Sequence, residues 1–360
     1  MIRALLLSLL LSAPLLAQTS EFTLTPSADW VDTKIDLNAG DSLHITAAGQ
    51  LQYTNANQAN GPVGLARGFA DLVRVMLLND AGRGALVGRI GSSAAARPFL
   101  IGALVDYKAP IAGRLFLAIN QSSTDQATGS YRVVVEHKAG VTSPQTDVHV
   151  PAFPQSLLDA IPRRVNDSGG NPGDRVNFLL IGSQEQVQAA LKAAGWVVVD
   201  RTQQDAVVRG IFASLSKEAY VTLPMSELRL FDRPQDFGYA QADPLRVVAS
   251  RHHFRIWKAP QTLGGLTVWA GAGTHDIGFD RDNRNNGITH KIDPNVDAER
   301  DYIRESLMQT GLVIKTDYMT PANPVLTALT ATGSSFNSDG RTLIVYLAGS
   351  ADASTSAPAH

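Results

Sequence analysis

The chain has no cysteine among its 360 residues, so disulfides and thiolate chemistry are excluded and stability must come from buried cores. It has no excess of either charge: 31 Lys and Arg stand against 33 Asp and Glu, a formal net charge of −2. With aromatic residues at only 7%, there is no electrostatic case for nucleic acid or an anionic membrane as partner. Beyond the amino-terminal stretch, no window approaches the roughly 18 apolar residues that a membrane span needs. Gly182 stands without a Gly-x-Gly-x-x-Gly run, which argues against a dinucleotide fold. No Gly-x-Ser-x-Gly elbow is present for serine catalysis.

What is present begins with an expected export signal over residues 1–17: Arg3, an apolar run over 4–16, and the small Ala17. The mature chain is expected to start near Gln18, in a secreted or periplasmic location. Export without disulfides fits a bacterial envelope protein. The remaining length suffices for two domains.

Residues 22–136 carry short alternating runs separated by Gly, Asn, Asp and Pro, the pattern of an antiparallel sandwich. Ile35 and Leu37 alternate, Ala39-Gly40-Asp41 turns, and Leu43, Ile45 and Ala47 alternate again. Leu115, Leu117 and Ile119, then Tyr131, Val133 and Val135, do the same across an intervening loop. One helical stretch is expected over 69–78.

Several motifs of this region, Trp30-x-Asp32-Thr33, Asn38-Ala39-Gly40-Asp41, Ala47-Ala48-Gly49 with Tyr53, Gly61-Pro62-x-Gly64 and Gly84-Ala85-Leu86-Val87-x-x-Ile90-Gly91, are similar to those of the bacterial galactophilic lectins of the PA-I type. That resemblance implies a jelly-roll sandwich over residues 20–138. Members hold calcium with a tyrosine carbonyl, an aspartate and two adjacent asparagines, and the ion clamps two hydroxyls of a hexose. Here Tyr53 matches, Gln121 stands at the aspartate position, Gln126-Ala127 replaces the asparagine pair, and Asp125 is the nearest substitute. Calcium prefers six to eight oxygens, anionic ones above all, so this loop reads as a degraded calcium and sugar site and calcium is not expected there.

Residues 139–173 hold Pro144, Pro151, Pro154, Pro162 and Pro172 and read as a connection. The region 174–348 then follows a different grammar. A short strand over 176–181 precedes Ser183-x-x-Gln186, a capping box. Val187, Ala190, Leu191 and Ala194 repeat at helical spacing, and Gly195 terminates. A second helix is expected after Asp205, and strands near 228–231, 254–257, 266–270 and 342–347. The expected class is α+β with a mixed or antiparallel sheet. The tail 349–360, mostly Ala, Ser and Thr, is expected to be disordered.

The reactive side chains concentrate in residues 251–300. In a strand, Arg251, His253, Arg255 and Trp257 share one face, and His252, Phe254 and Ile256 the other. His253, beside two arginines, is the favoured functional histidine, and His252 is expected in the core. Asp293 reads as an N-cap and Pro294 as the first helical residue. Val296, Ile303 and Leu307 then form an apolar stripe whose margins include Glu299 and Arg300. Both charges must face the protein body and meet partners, drawn from His253, His275, Asp276 and His290. The candidate cluster is thus His253, His275, Asp276, His290, Asp293, Glu299 and Arg300.

Two alternatives stay open for it. His253, His275 and His290, with nearby carboxylates, ligate a divalent metal that activates water; or the same residues form a structural network of ion pairs. The run 280–287 lacks the pattern of a calcium loop and reads as a polar turn.

The motifs Val176-Asn177-Phe178-Leu179-Leu180-Ile181-Gly182, Ala193-Ala194-Gly195-Trp196, Phe231-Asp232-Arg233-Pro234, Arg251-His252-His253-x-Arg255-x-Trp257, Thr274-His275-Asp276 and His290-Lys291-Ile292-Asp293-Pro294 resemble the C-terminal domain of the LssY proteins. In that family the domain often accompanies membrane segments similar to lipid-phosphate phosphatases, and this chain resembles only the soluble part. The combined expectation is an exported, envelope-associated binding or accessory protein, with glycan or other envelope components as partners. The alternative is a metal-assisted hydrolase acting on phosphorylated or glycan substrates.

Overall fold

The computed structural model describes residues 18–27, 29–67, 76–78, 80–140, 150–199, 225–242, 251–281 and 288–348. The expected signal, the tail, the second helix after Asp205 and most of the helical stretch at 69–78 lie outside the described residues.

Eight strands make the first unit: β1 (Gln18–Leu24), β2 (Val31–Leu37), β3 (Ser42–Tyr53), β4 (Leu86–Ile90), β5 (Phe99–Leu100), β6 (Leu104–Lys108), β7 (Gly113–Ile119) and β8 (Ala127–Lys138). They form two four-stranded antiparallel sheets in the orders β1-β8-β3-β6 and β2-β7-β4-β5. That arrangement is the jelly roll. The expected alternation is what fills it: Ile35, Leu37, Leu43, Ile45, Leu115, Leu117, Ile119, Tyr131, Val133 and Val135 are all buried between the sheets. At Gly40 the backbone turns with φ of 90°, a conformation that costs a side chain but not glycine.

The second unit opens with α1 (Gln155–Ala160), β9 (Arg164–Asn166) and β10 (Pro172–Arg175). Residues 139–173, expected as a connection, thus contribute Phe153, Leu158, Ile161 and Val165 to the core. Apolar side chains placed between the prolines find a sheet to cover.

That sheet has eight described strands: β11 (Phe178–Ile181), β12 (Val197–Val199), β15 (Phe237–Ala242), β16 (Arg251–Leu263), β17 (Leu266–Arg281), β18 (Ile288–Ile292), β19 (Val313–Met319) and β22 (Thr342–Leu347). The order is β12-β15-β16-β17-β11-β22-β19, with β18 paired to β17. Only the β11–β22 pair is parallel, so the sheet is mixed. Short strands β13 (Arg229–Leu230) and β14 (Arg233–Pro234) join β9 and β10 in a small sheet, and β20 (Thr327–Leu329) pairs with β21 (Ser335–Asn337).

Two helices, α2 (Gln184–Ala193) and α3 (Val296–Met308), cover one face. There Val187, Leu191, Trp196, Ile303 and Leu307 pack on Phe178, Leu180, Phe254 and Val345. Trp257, Leu179, Val268 and Ile344 pack on the other face against α1, β9 and β13. Burial on both sides explains the unbroken apolar run of β11, Phe178-Leu179-Leu180-Ile181. The capping box closes as the spacing predicts: Ser183 Oγ accepts from the Gln186 N–H, and the Gln186 side chain accepts from the Ser183 N–H.

Helix α3 begins two residues later than the sequence implies. Its N-cap is Asn295, whose side chain accepts from the Ala298 N–H. Asp293 stands before the helix: its N–H donates to the His275 carbonyl beside β17, and its Oδ1 accepts from the N–H of Asn295, the cap itself. Val296, Glu299, Arg300, Ile303 and Leu307 are all buried, so the expected inward stripe is present.

Candidate metal centre

The β16–β17 hairpin turns at Gly264-Gly265 and pairs His252 with His275, His253 with Thr274 and Arg251 with Asp276. Directly opposed residues share a face, as do alternate residues along a strand. His252 and His275 therefore stand together beneath α3. Arg251, His253, Arg255 and Asp276 stand on the opposite face, so the expected single cluster is in fact two.

On the rear face, Asp276 is 1% exposed. One of its oxygens lies 2.9 Å from His253 Nε2, and the other accepts from Arg251 Nε at 3.3 Å. Burial pushes the His253 imidazole below its ordinary range, against the pull of the Asp276 carboxylate. Arg255 donates to the Ser226 carbonyl at 3.1 Å and lies 3.8 Å from Asp174. The two arginines beside His253 are matched here by Asp276 and Asp174. Arg300 is also structural: it donates to Asp301 at 2.9 Å, Asp339 at 2.8 Å and Asp297 at 3.1 Å, and lies over the Tyr318 ring. It ties α3 to the loop before β22. His253, Asp276 and Arg300 thus stand in paired networks and do not line the cavity beside His252 and His275.

The front face is different. Glu299 and Tyr302, one turn apart on α3, meet the two histidines. His252 Nδ1 is 2.6 Å from Glu299 Oε2. The His252 ring is held between His275, with centroids 4.1 Å apart, and Tyr302, at 3.7 Å, all three rings nearly parallel. Tyr302 is anchored by donating to Gln241 Oε1 at 3.1 Å. One ligating atom each of His252, His275 and Glu299 fall within 4.8 Å of one another.

Glu299 is 2% exposed, and its Oε1 is buried without a hydrogen-bond partner. Burial raises its pKa well above the ordinary carboxylate range, and the Asp276 and Asp293 carboxylates add to the shift. Gly273 lets the helix come this close: a Cβ there would lie 2.6 Å from Ile303 Cδ1 and 3.5 Å from Glu299 Cγ.

The three groups border a cavity of about 280 Å³ that Asp293, Asn295, Asp301, Tyr302 and Glu305 also line. No Lys or Arg lines it among the described residues. Asp293 is brought to the site by its N–H bond to the His275 carbonyl at 2.8 Å. Strand β18 sets the backbone of His290 opposite Phe279, and its side chain lies outside the described residues.

Sequence reasoning thus placed His275, Asp293 and Glu299 at the site and missed His252 and Tyr302. Part of the signal for His252 was available: the two-residue Gly-Gly loop pairs Leu263 with Leu266, and a register shift between Lys258 and Thr262 then sets His252 opposite His275.

A protein-family model described as the LssY C-terminus matches residues 158–342. The chain belongs to that family. The matched span contains every strand of the large sheet except β22, and every residue lining the candidate centre except Ala94. No curated protein matches the LssY C-terminus chain described here. Among solved structures, the first unit is similar to the EclA N-terminal domain, a PllA-like lectin, at 17% identity and a TM-score of 0.25, covering 33% of this chain and 95% of that one.

In the sandwich, the three residues expected at the degraded calcium loop do come together, around a residue the sequence did not single out. Tyr53 Oη donates to Gln121 Oε1 at 2.8 Å. Arg83 donates to Asp125 at 3.0 Å and to Asn55 at 2.6 Å, and its guanidinium lies 4.4 Å from the Tyr53 ring centroid. A buried cation of the chain itself occupies the neighbourhood, and Asp125 is committed to it.

Proposed function

We propose that this LssY C-terminus protein is an exported, metal-dependent hydrolase whose ion is held by His252, His275 and Glu299, acting on ester or amide bonds of envelope glycans. The observation that carries the reading is Glu299: a fully buried carboxyl with an unpartnered oxygen, converging with two imidazoles at the edge of a cavity. A buried polar atom without a partner is costly, and a divalent cation satisfies it. Two histidines and one carboxylate with an open side are the donor set of catalytic rather than structural zinc sites, where the ion supplies Lewis acidity and an activated water. The chain's own groups supply orientation. Tyr302 stacked on His252 fixes that ring, and Asp293 stands at the rim as a proton acceptor.

The walls favour one of the two substrate classes. Asp293, Asp301 and Glu305 with no facing Lys or Arg oppose a phosphorylated group and suit a neutral, hydroxyl-rich one. The export signal expected at residues 1–17 supports placing this chemistry in the envelope, and no helix among the described residues is long and apolar enough to cross a membrane.

The test is metal analysis of purified protein equilibrated with zinc. One ion per chain is expected in the wild type and in His253→Ala, and none in His252→Ala, His275→Ala or Glu299→Gln. Release of acetate from acetylated glycan fragments should follow the ion. A wild-type protein that stays folded and metal-free after equilibration overturns the proposal.

A further inference from the structure

Ala94 and Ser93 belong to the jelly roll, yet they stand at the pocket of the second unit. Ala94 lines it, and Ser93 Oγ donates to the carboxylate of Glu305, one of its walls. Ser93 is itself held in a tight turn, its Oγ accepting from the Ala95 N–H at 3.1 Å and its carbonyl from the Ala96 N–H at 3.1 Å. Ala95 and Ala96 are buried. On either side of it the same loop grips both helices. The Arg97 guanidinium donates to the Ala193 carbonyl at the end of α2, where a cation meets the negative end of the helix dipole. A Cβ on Gly91 would lie 3.4 Å from Gln309 Nε2 at the end of α3. A second sandwich segment approaches nearby: a Cβ on Gly311 would lie 3.0 Å from the Pro110 carbonyl oxygen.

We infer that the site is built by both units, and that the sandwich turn at residues 91–97 is the wall that sets the width of the pocket and selects what reaches His275. The reading rests on the pocket assigned above, and makes the jelly roll a specificity element of that site rather than a separate binding module. Ala94, small and exposed, leaves the mouth open; a larger side chain there narrows it without entering either core. Ser93 keeps the wall in register through Glu305.

The experiment is carbethoxylation of His275 by diethyl pyrocarbonate in metal-free protein, followed by peptide mass spectrometry. His44, half-buried beside Asp106 on β3 of the sandwich, is the internal reference. Ala94→Trp is expected to slow modification of His275 several-fold while His44 reacts at the wild-type rate. Ser93→Ala, which releases the tether to Glu305, is expected to speed it. An unchanged His275 rate in Ala94→Trp overturns the inference. In a parallel arm, removal of bound zinc by EDTA should slow in Ala94→Trp with stoichiometry kept. Failure of the wild type to bind zinc sinks the hydrolase reading alone, because the His275 rates are measured without metal.

Discussion

Glu299 and His253 are both buried ionisable residues within the same hairpin–helix assembly, and their surroundings give them opposite meanings. His253 has Asp276 as a partner; Glu299 has an oxygen with none. Removing His253 leaves Asp276 short of a hydrogen bond in the interior, a loss of about 1–3 kcal/mol by the usual cost of an unmade bond. His253→Ala should therefore lower the urea midpoint and leave zinc binding intact. Glu299→Gln should do the reverse. Burial already favours the neutral acid, so an amide of the same shape should leave metal-free stability near the wild-type value. Zinc at 100 times its dissociation constant would raise wild-type stability by about 2.7 kcal/mol through mass action. A thermal melt with and without zinc reads both effects, and a zinc-dependent rise persisting in Glu299→Gln would remove that carboxylate from the ligand set.

Among the elements, those with one buried face were legible from periodicity. Ile35 and Leu37, Leu43 and Ile45, and Tyr131 to Val135 alternate because the sandwich buries every second residue, and the Ser183–Gln186 box announced α2. The start of α3 was misread because Asp293 and Asn295 both offer a capping side chain, and the contact that keeps Asp293 on the strand side, its N–H to the His275 carbonyl, is distant in sequence. The surroundings of His252 were hidden for a related reason. Its neighbours along β16, Phe254 and Ile256, are core residues, but its neighbour across the ladder is His275. The close seat of α3 on β17 makes a test of this geometry. Gly273→Ala would set a methyl 2.6 Å from Ile303 Cδ1, and overpacking of that kind costs about 1–3 kcal/mol. The helix should lift, lowering both the unfolding midpoint and zinc affinity; a variant with a wild-type midpoint and full zinc occupancy would mean that the contact is not what positions Glu299.

Across the whole molecule, acid sensitivity should separate the two units, since each carries a depressed carboxylate in a different role. Asp41 stabilises the sandwich: burial pushes its pKa up, but the N–H groups of Asn38 and Gly140 and the His137 ring hold it below the ordinary value of 3.8. Asp339 fastens the loop before β22 to α3. Burial again opposes, and Arg300 with the Arg341 N–H and side chain lowers it further. In both, the folded state binds the proton less readily than the unfolded chain. Their stabilisation is therefore complete above the ordinary aspartate range and lost as pH falls through the depressed folded values. The contribution of these two carboxylates should be flat from neutrality to about pH 5 and fall below about pH 4. Trp30 lies in the sandwich, whereas Trp196, Trp257 and Trp269 lie in the second unit, so fluorescence of Trp30→Phe follows the latter alone. In that background Asp339→Asn should lower the neutral plateau and flatten the acid slope, while Asp41→Asn should leave both unchanged. The contacts at Ser93 and Arg97 join the units, however, so a shift of the second unit's plateau on Asp41→Asn would show that folding of the sandwich is coupled into the site it walls.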